Sequence, residues 1–115
     1  MKRTATLIAL LTMVAVPQAF AGAGFVKTIE AAQKLARQKN QLIFVDLFAQ
    51  WCGWCHRFEA EVVPSEAFQK ATEKMVLLRL DTEDGSEGTR FARQYRVSSL
   101  PTFPVLNPDL TIAAL

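Results

Sequence analysis

The sequence predicts an α/β domain, a central mixed β-sheet flanked by helices, on three observations. Two runs, Leu42 to Ala49 and Met75 to Asp81, are nearly all apolar and rich in β-formers, as in strands buried on both faces of a parallel or mixed sheet. Ile29, Ala32, Leu35 and Ala36 recur at helical spacing before the first run, and Phe58, Val62 and Val63 do so after it. Helical and strand patterns therefore alternate, the order that packs helices on a sheet. With 115 residues the chain holds one such domain and one core.

The chain opens on Met1-Lys2-Arg3, continues with an apolar run from Thr4 to Val16, and reaches Pro17 and then Ala19-Phe20-Ala21. These are the parts of a secretory signal, a basic start, a short apolar middle and an A-x-A site, with cleavage expected after Ala21 and a domain from 22 to 115. The apolar run, about 13 residues, is short of the ~20 that a spanning helix needs. Loss of Lys2 and Arg3 takes the formal charge from +2 to zero, which removes the basic-patch case for a nucleic-acid partner. The pattern reads as a bacterial export signal and hence as a periplasmic address, where cysteine pairs form structural or working disulfides.

Gly22 to Gly24 reads as a flexible new N-terminus. Thr28 is placed to cap a helix from Ile29 to Lys39, whose basic residues gather at the C-terminal end where the helix dipole favours them, and Asn40-Gln41 breaks it. Leu42 to Ala49 is the first strand, and Asp46 is its anomaly, because a buried carboxylate is costly unless paired or kept neutral. After the cysteines a helix should bury Phe58, Val62 and Val63 and end at Pro64. Ser65 then caps a second piece, Glu66 to Glu73, with Phe68 and Ala71 inward. Met75 to Asp81 is a second strand, Thr82 to Gly88 a loop, and Thr89 to Tyr95 a short helix with Phe91, Ala92 and Tyr95 inward. A strand containing Pro104 belongs at an edge or a bulge, because proline cannot donate to the ladder. Asn107-Pro108-Asp109 makes a turn, and Leu110 to Leu115 returns as a hairpin strand.

Cys52 and Cys55 are the only cysteines and His56 the only histidine, so chemistry that needs these groups is confined to Trp51-Cys52-Gly53-Trp54-Cys55-His56. The position, after a buried strand and at the start of a helix, puts both sulfurs near unpaired N–H groups and the positive end of the helix dipole, which favours thiolates. An inert structural disulfide fits less well, since so small a ring constrains little chain. Cys52-Gly53-Trp54-Cys55-His56 also matches the c-type haem attachment pattern, but that needs His56 as an axial ligand and, once the signal is removed, leaves only Met75 for the second. No metal is expected, because three ligands within five residues cannot surround a tetrahedral zinc ion.

The residues resemble the thioredoxin superfamily, and more closely its exported members with Trp-Cys-x-x-Cys. The likeness runs from about Thr28 to Leu115 and rests on Asp46 six positions before Cys52, on Trp51-Cys52-Gly53-Trp54-Cys55, and on Val97 followed by Leu100-Pro101-Thr102. The resemblance implies a thioredoxin-like fold and a redox-active Cys52-Cys55 disulfide with no organic cofactor. It implies an exposed attacking thiol at Cys52 and a resolving thiol at Cys55, with Asp46 relaying the proton of Cys55 and Arg79 facing Asp46 where the family has a lysine. It makes Leu100-Pro101 a cis peptide that, with Trp51, Gly53 and Trp54, shapes a groove for cysteine-containing protein substrates. A membrane-embedded thiol carrier or quinone-linked oxidase would reset the pair.

The chain departs from the family in three ways. Gly53-Trp54 replaces Gly-Pro, His56 replaces a lysine and is expected to tune the thiolate, and no pattern for the fold's last helix follows the hairpin. The sequence is therefore read as truncated or as completed by a partner. The activity expected is thiol:disulfide exchange, leaning to reduction or isomerisation. A redox-independent peptide-binding module using the Pro101 groove is the alternative.

Overall fold

The structure, a computed structural model, describes residues 3–6, 8–12 and 24–115. The expected cleavage site at Ala19 to Ala21 and the expected flexible start at Gly22 and Ala23 lie outside the described residues. Among those described, no helix is long and apolar enough to cross a membrane.

Strand β1 (Phe25–Val26) leads into helix α1 (Ile29–Lys39), then strand β2 (Ile43–Phe48) and helix α2 (Gly53–Arg57). A π-helical turn (Phe58–Val62) prolongs α2. Helix α3 (Glu66–Ala71), strand β3 (Val76–Asp81), helix α4 (Glu87–Gln94) and the hairpin strands β4 (Val105–Leu106) and β5 (Ile112–Ala114) complete the order. The sheet runs β1-β3-β2-β4-β5, with β1, β3 and β2 parallel and β4 and β5 antiparallel.

Alternation along β2 and β3 divides the core into two faces. Ile43, Val45 and Leu47 join Val76, Leu78 and Leu80 on one face, sealed by Ala32 and Ala36 of α1 and Phe91 of α4. The other face carries Phe44, Asp46 and Phe48 from β2, with Arg79 of β3 in register with Asp46. There Phe44 packs on Phe58, Phe68 and Phe103, so α2, its π turn and α3 cover this side.

The caps follow the expected chemistry. Thr28 accepts the Ala31 N–H at 3.1 Å, Asn40 takes the left-handed conformation that ends α1, and Ser65 accepts the Phe68 N–H at 3.2 Å.

Several expectations are corrected. Val62 is exposed while Val63 is buried, because the π turn bonds Val63 N–H to the Phe58 carbonyl and inserts one residue into the helical face. Ala71 faces solvent and Thr72 is buried in its place, its hydroxyl donating to the Phe68 carbonyl at 2.8 Å. Helix α4 begins at Glu87 rather than Thr89, since the Asp84 carboxylate accepts the Gly88 and Thr89 N–H groups and organises the first turn. Gly88 is required there, as a Cβ would lie 1.9 Å from the Asp81 carbonyl oxygen. Of the two places expected for Pro104, an edge or a bulge, the structure gives the second: it precedes an irregularity at Val105 and Leu106 beside interior strand β2, and its carbonyl accepts the Val45 N–H at 2.9 Å. Strand β1 had no expected counterpart, being two residues long and held by its pairing with β3.

Candidate functional site

The turn after β2 delivers Cys52 to the N-cap of α2. Its sulfur is bonded to that of Cys55, with the two Cα atoms 5.2 Å apart, and the Cys55 N–H donates to Cys52 Sγ at 3.1 Å. A sulfur here occupies the place of a capping oxygen, so an amide of the first turn points at it. When the disulfide opens, that amide and the positive end of the helix favour a thiolate on Cys52.

Cys52 was expected to be exposed, and it is not. In the disulfide form it is 3% exposed and Cys55 2%, because Phe48, Ala49 and Leu100 close around the pair. Trp51 and Trp54, by contrast, stand in solvent at 71% and 67% exposure. The Trp51 indole N–H donates to the Glu83 carboxylate, and the Arg57 guanidinium lies 5.1 Å from the centre of the Trp54 ring. Gly53 is exposed between them, with open space where a side chain would project. His56 turns back so that its Nε2 meets the Gln50 carbonyl oxygen at 2.7 Å, which fixes Nε2 as the protonated nitrogen and ties α2 to the preceding loop.

The Leu100-Pro101 peptide bond is cis, and Leu100 packs against the cysteine pair. On one side of Pro101 lies an open, largely apolar hollow of about 320 Å³ formed by Trp54, Phe58, Val62 and Phe103, with Arg57 and Glu61 on its rim. A second hollow of about 260 Å³ lies between Trp51, Glu83, Val97 and Leu100. Leu100 lines this hollow and Pro101 the first.

Asp46 is 2% exposed on the strand face that also carries Phe48, the residue that packs against the pair. Arg79 Nε lies 3.5 Å from Asp46 Oδ2, too far and too poorly aligned for a hydrogen bond, while an outer guanidinium nitrogen donates to Glu59 at 2.6 Å. The same guanidinium stacks on the Phe48 ring at 3.7 Å. Among the described residues, Asp46 Oδ1 and Arg79 Nε have no hydrogen-bond partner. Burial pushes the Asp46 carboxyl up to about 6, against the pull of Arg79, and the charge of Glu59 adds to the rise.

Of the residues singled out in the sequence, Leu100 packs against the disulfide, Trp51, Trp54 and Pro101 line the hollows near it, Gly53 and His56 lie on α2, and Asp46 and Arg79 pair in register on the neighbouring strands. Two acidic residues were missed. Glu59 stands four positions beyond Cys55, a spacing that shares a helical face and could have singled it out. Glu83 lies in the polar loop after β3, and only the fold brings it to Trp51. The haem arrangement finds no support in this geometry, since the two sulfurs are bonded to each other and the His56 ring is engaged with Gln50.

Comparison with known proteins bears on the same residues. A family model described as Thioredoxin-like matches residues 25–108. The chain is 36% identical over 76 residues to the thiol:disulfide interchange protein DsbD of Pasteurella multocida, covering 65% of this chain but only 13% of that protein. It is 38% identical over 78 residues to thioredoxin 1 of Plasmodium falciparum, covering 67% of this chain and 68% of the relative. Among solved structures, a Fasciola hepatica thioredoxin superposes with a TM-score of 0.57 at 30% identity, over 78% of this chain and 81% of that one. A DsbH oxidoreductase superposes with a TM-score of 0.67 over 92% of this chain and 81% of its own; at 16% identity this likeness concerns the fold.

Proposed function

The chain belongs to the thioredoxin-like family, and from that premise we propose that it is an exported thiol:disulfide oxidoreductase that exchanges disulfides with protein substrates through Cys52 and Cys55. The observation that carries this reading is the disulfide at the start of α2, with the Cys55 N–H on Cys52 Sγ and Leu100 of the cis Leu100-Pro101 pair packed beside it. The DsbD and thioredoxin relatives support the chemistry, and the Lys2-Arg3 start, apolar run and Ala19-Phe20-Ala21 site support a periplasmic address.

In the reducing direction the Cys52 thiolate attacks one sulfur of a substrate disulfide. A Cys52–substrate bond forms, and the other substrate sulfur leaves as a thiolate that takes a proton. Cys55 then gives its proton to the Asp46 carboxylate and attacks Cys52 Sγ. The Cys52–Cys55 bond forms and the second substrate thiolate is expelled and protonated. Two electrons have passed from the dithiol to the substrate. The reverse sequence oxidises a substrate dithiol.

Trp51, Gly53, Trp54, Leu100 and Pro101 would hold an extended segment of the substrate, with its side chains entering the hollows on either side. His56 would tune the pair through the loop that its ring ties to α2. Arg79, in ion-pair distance of Asp46, would limit how readily that carboxylate takes a proton. The buried Asp46 leans the reading towards reduction or isomerisation, and a membrane-embedded thiol carrier is the partner that would reset the pair.

The test is the reduction potential of the Cys52/Cys55 couple, equilibrated against glutathione and followed by tryptophan fluorescence. A value near about −270 mV supports the reductant, and one near about −120 mV makes the protein an oxidant of substrate thiols. A pair that cannot be cycled sinks the oxidoreductase reading. Export is tested by N-terminal sequencing of the periplasmic protein, which should begin at Gly22.

A further inference from the structure

Neither the family match nor the proposed exchange reaction assigns a task to Glu59. We propose that Glu59 is a positioning residue: by taking the outer nitrogen of the Arg79 guanidinium, it holds this cation off Asp46 and leaves the buried carboxyl an unpartnered oxygen with which to exchange a proton.

The geometry carries the inference. A guanidinium facing one carboxylate ordinarily settles into two parallel hydrogen bonds. Here Arg79 divides unevenly between two carboxylates: an outer nitrogen bonds Glu59 at 2.6 Å, while its Nε makes only a looser ion pair with Asp46 at 3.5 Å. The Phe48 ring under the guanidinium, at 3.7 Å, holds it in that compromise. The consequence is two buried polar atoms, Asp46 Oδ1 and Arg79 Nε, without partners among the described residues. A buried polar atom without a protein partner calls for an explanation, and proton exchange supplies one for Asp46. A fully paired Asp46 would be a poor proton acceptor for Cys55.

The charged or titratable groups around Asp46 are few. Strand β3 brings Arg79 and the π turn brings Glu59, while Cys55 of α2 packs on Phe48, two residues along β2 from Asp46. The stretch from Thr102 to Leu106 on the other side of β2 has no titratable side chain, and α3 turns Phe68 inward while Glu66 and Lys70 stay exposed. Removing Glu59 therefore frees Arg79 to close on Asp46, and the carboxyl becomes more acidic.

The experiment titrates the Asp46 carboxyl by carbon-13 NMR in the oxidised protein, where Cys55 does not ionise, with Asp46→Asn to assign the signal. Because the readout needs no turnover, its failure is distinct from failure of the exchange reaction, which is scored separately by the redox titration. Glu59→Gln should lower the midpoint by about one pH unit, a tenfold loss of proton affinity. In an Arg79→Gln background the same substitution should move it by less than about a third of that, because Glu59 acts through the guanidinium. In turnover assays the acid limb of the pH profile should fall with the midpoint in Glu59→Gln and return towards its original place in Glu59→Asp. An unmoved midpoint in Glu59→Gln, or a shift of undiminished size without Arg79, overturns the proposal. The Glu59 side chain is 42% exposed, so these variants are expected to fold, and circular dichroism checks this.

Discussion

The two faces of the sheet are built by opposite rules. Against α1 and α4, β2 and β3 present Ile43, Val45, Leu47, Leu78 and Leu80, all at most 2% exposed, with no charge among them. Against α2 and its π turn, the same two strands present Phe44, Asp46, Phe48 and Arg79, an aromatic layer interrupted by an ion cluster with orphaned atoms. Since these strands supply both faces, the difference comes from which residues alternate onto each. The closed face holds the fold, and the charged face buries a titratable carboxyl that burial itself disfavours in its charged form.

The largest effect should come from the closed face. Leu78 is fully buried there, and Leu78→Ala removes apolar contacts and leaves a cavity, so urea denaturation should show a loss of about 2–5 kcal/mol. The Cys52/Cys55 reduction potential should stay close to its original value, because the cavity opens on the side away from the disulfide. A large change in potential would mean that the two faces are mechanically coupled.

On the charged face the sign reverses. Asp46 has a folded-state pKa of about 6 against an ordinary 3.8, so the native protein holds a proton that the unfolded chain has released. The contribution of Asp46 to stability is then fully present below about pH 4 and is lost as pH rises through about 6, where the buried carboxylate is charged. Asp46→Asn abolishes that slope, and at pH 8 it should stabilise the protein by about 2–3 kcal/mol, fading to nothing near pH 4. The same variant should slow resolution of the mixed disulfide. A variant destabilised at pH 8 would show that Arg79 pairs with Asp46 more strongly than the 3.5 Å contact implies.

How legible each face was follows from the same contrast. Period-2 and period-3.6 apolar patterns dictate the closed face, and α1, β2, β3 and the hairpin all lie close to where those patterns put them. Asp46 was legible because a carboxylate in an apolar strand breaks its pattern. Arg79 was legible through the family likeness and was then fixed by register with Asp46. The π turn was not, since inserting one residue into a helix leaves no compositional trace, and Val62 was misplaced for that reason. The burial of Cys52 also escaped, because it depends on Leu100, 48 positions away along the chain, closing over the disulfide. Glu59 and Glu83 gain their partners only through tertiary structure.

A smaller effect is expected where the faces meet the chain's own caps. Thr28→Ala removes the acceptor for the Ala31 N–H at the start of α1 and should lower stability by about 1 kcal/mol, with no pH dependence between pH 5 and 8 as neither partner titrates there. A slope appearing in this variant would mean that α1 reports on the ion cluster across the sheet.

The smallest effect is the sharpest test of the contrast, because it changes the same chemistry two residues from Glu59. Glu61 bonds Arg57 at 3.3 Å, one turn of helix away, yet both side chains are about 60% exposed, where water screens the charges and ordering two long side chains offsets the gain. Glu61→Gln should therefore change stability by less than about 0.5 kcal/mol and leave the Asp46 midpoint in place. Glu59→Gln removes the same charge from the same helical stretch, but its partner also faces a buried carboxylate. If the two substitutions moved Asp46 alike, net charge near α2 would be the cause and the position of Arg79 would be irrelevant. If only Glu59→Gln moves it, the half-buried guanidinium is what connects the surface of the π turn to the proton on Asp46.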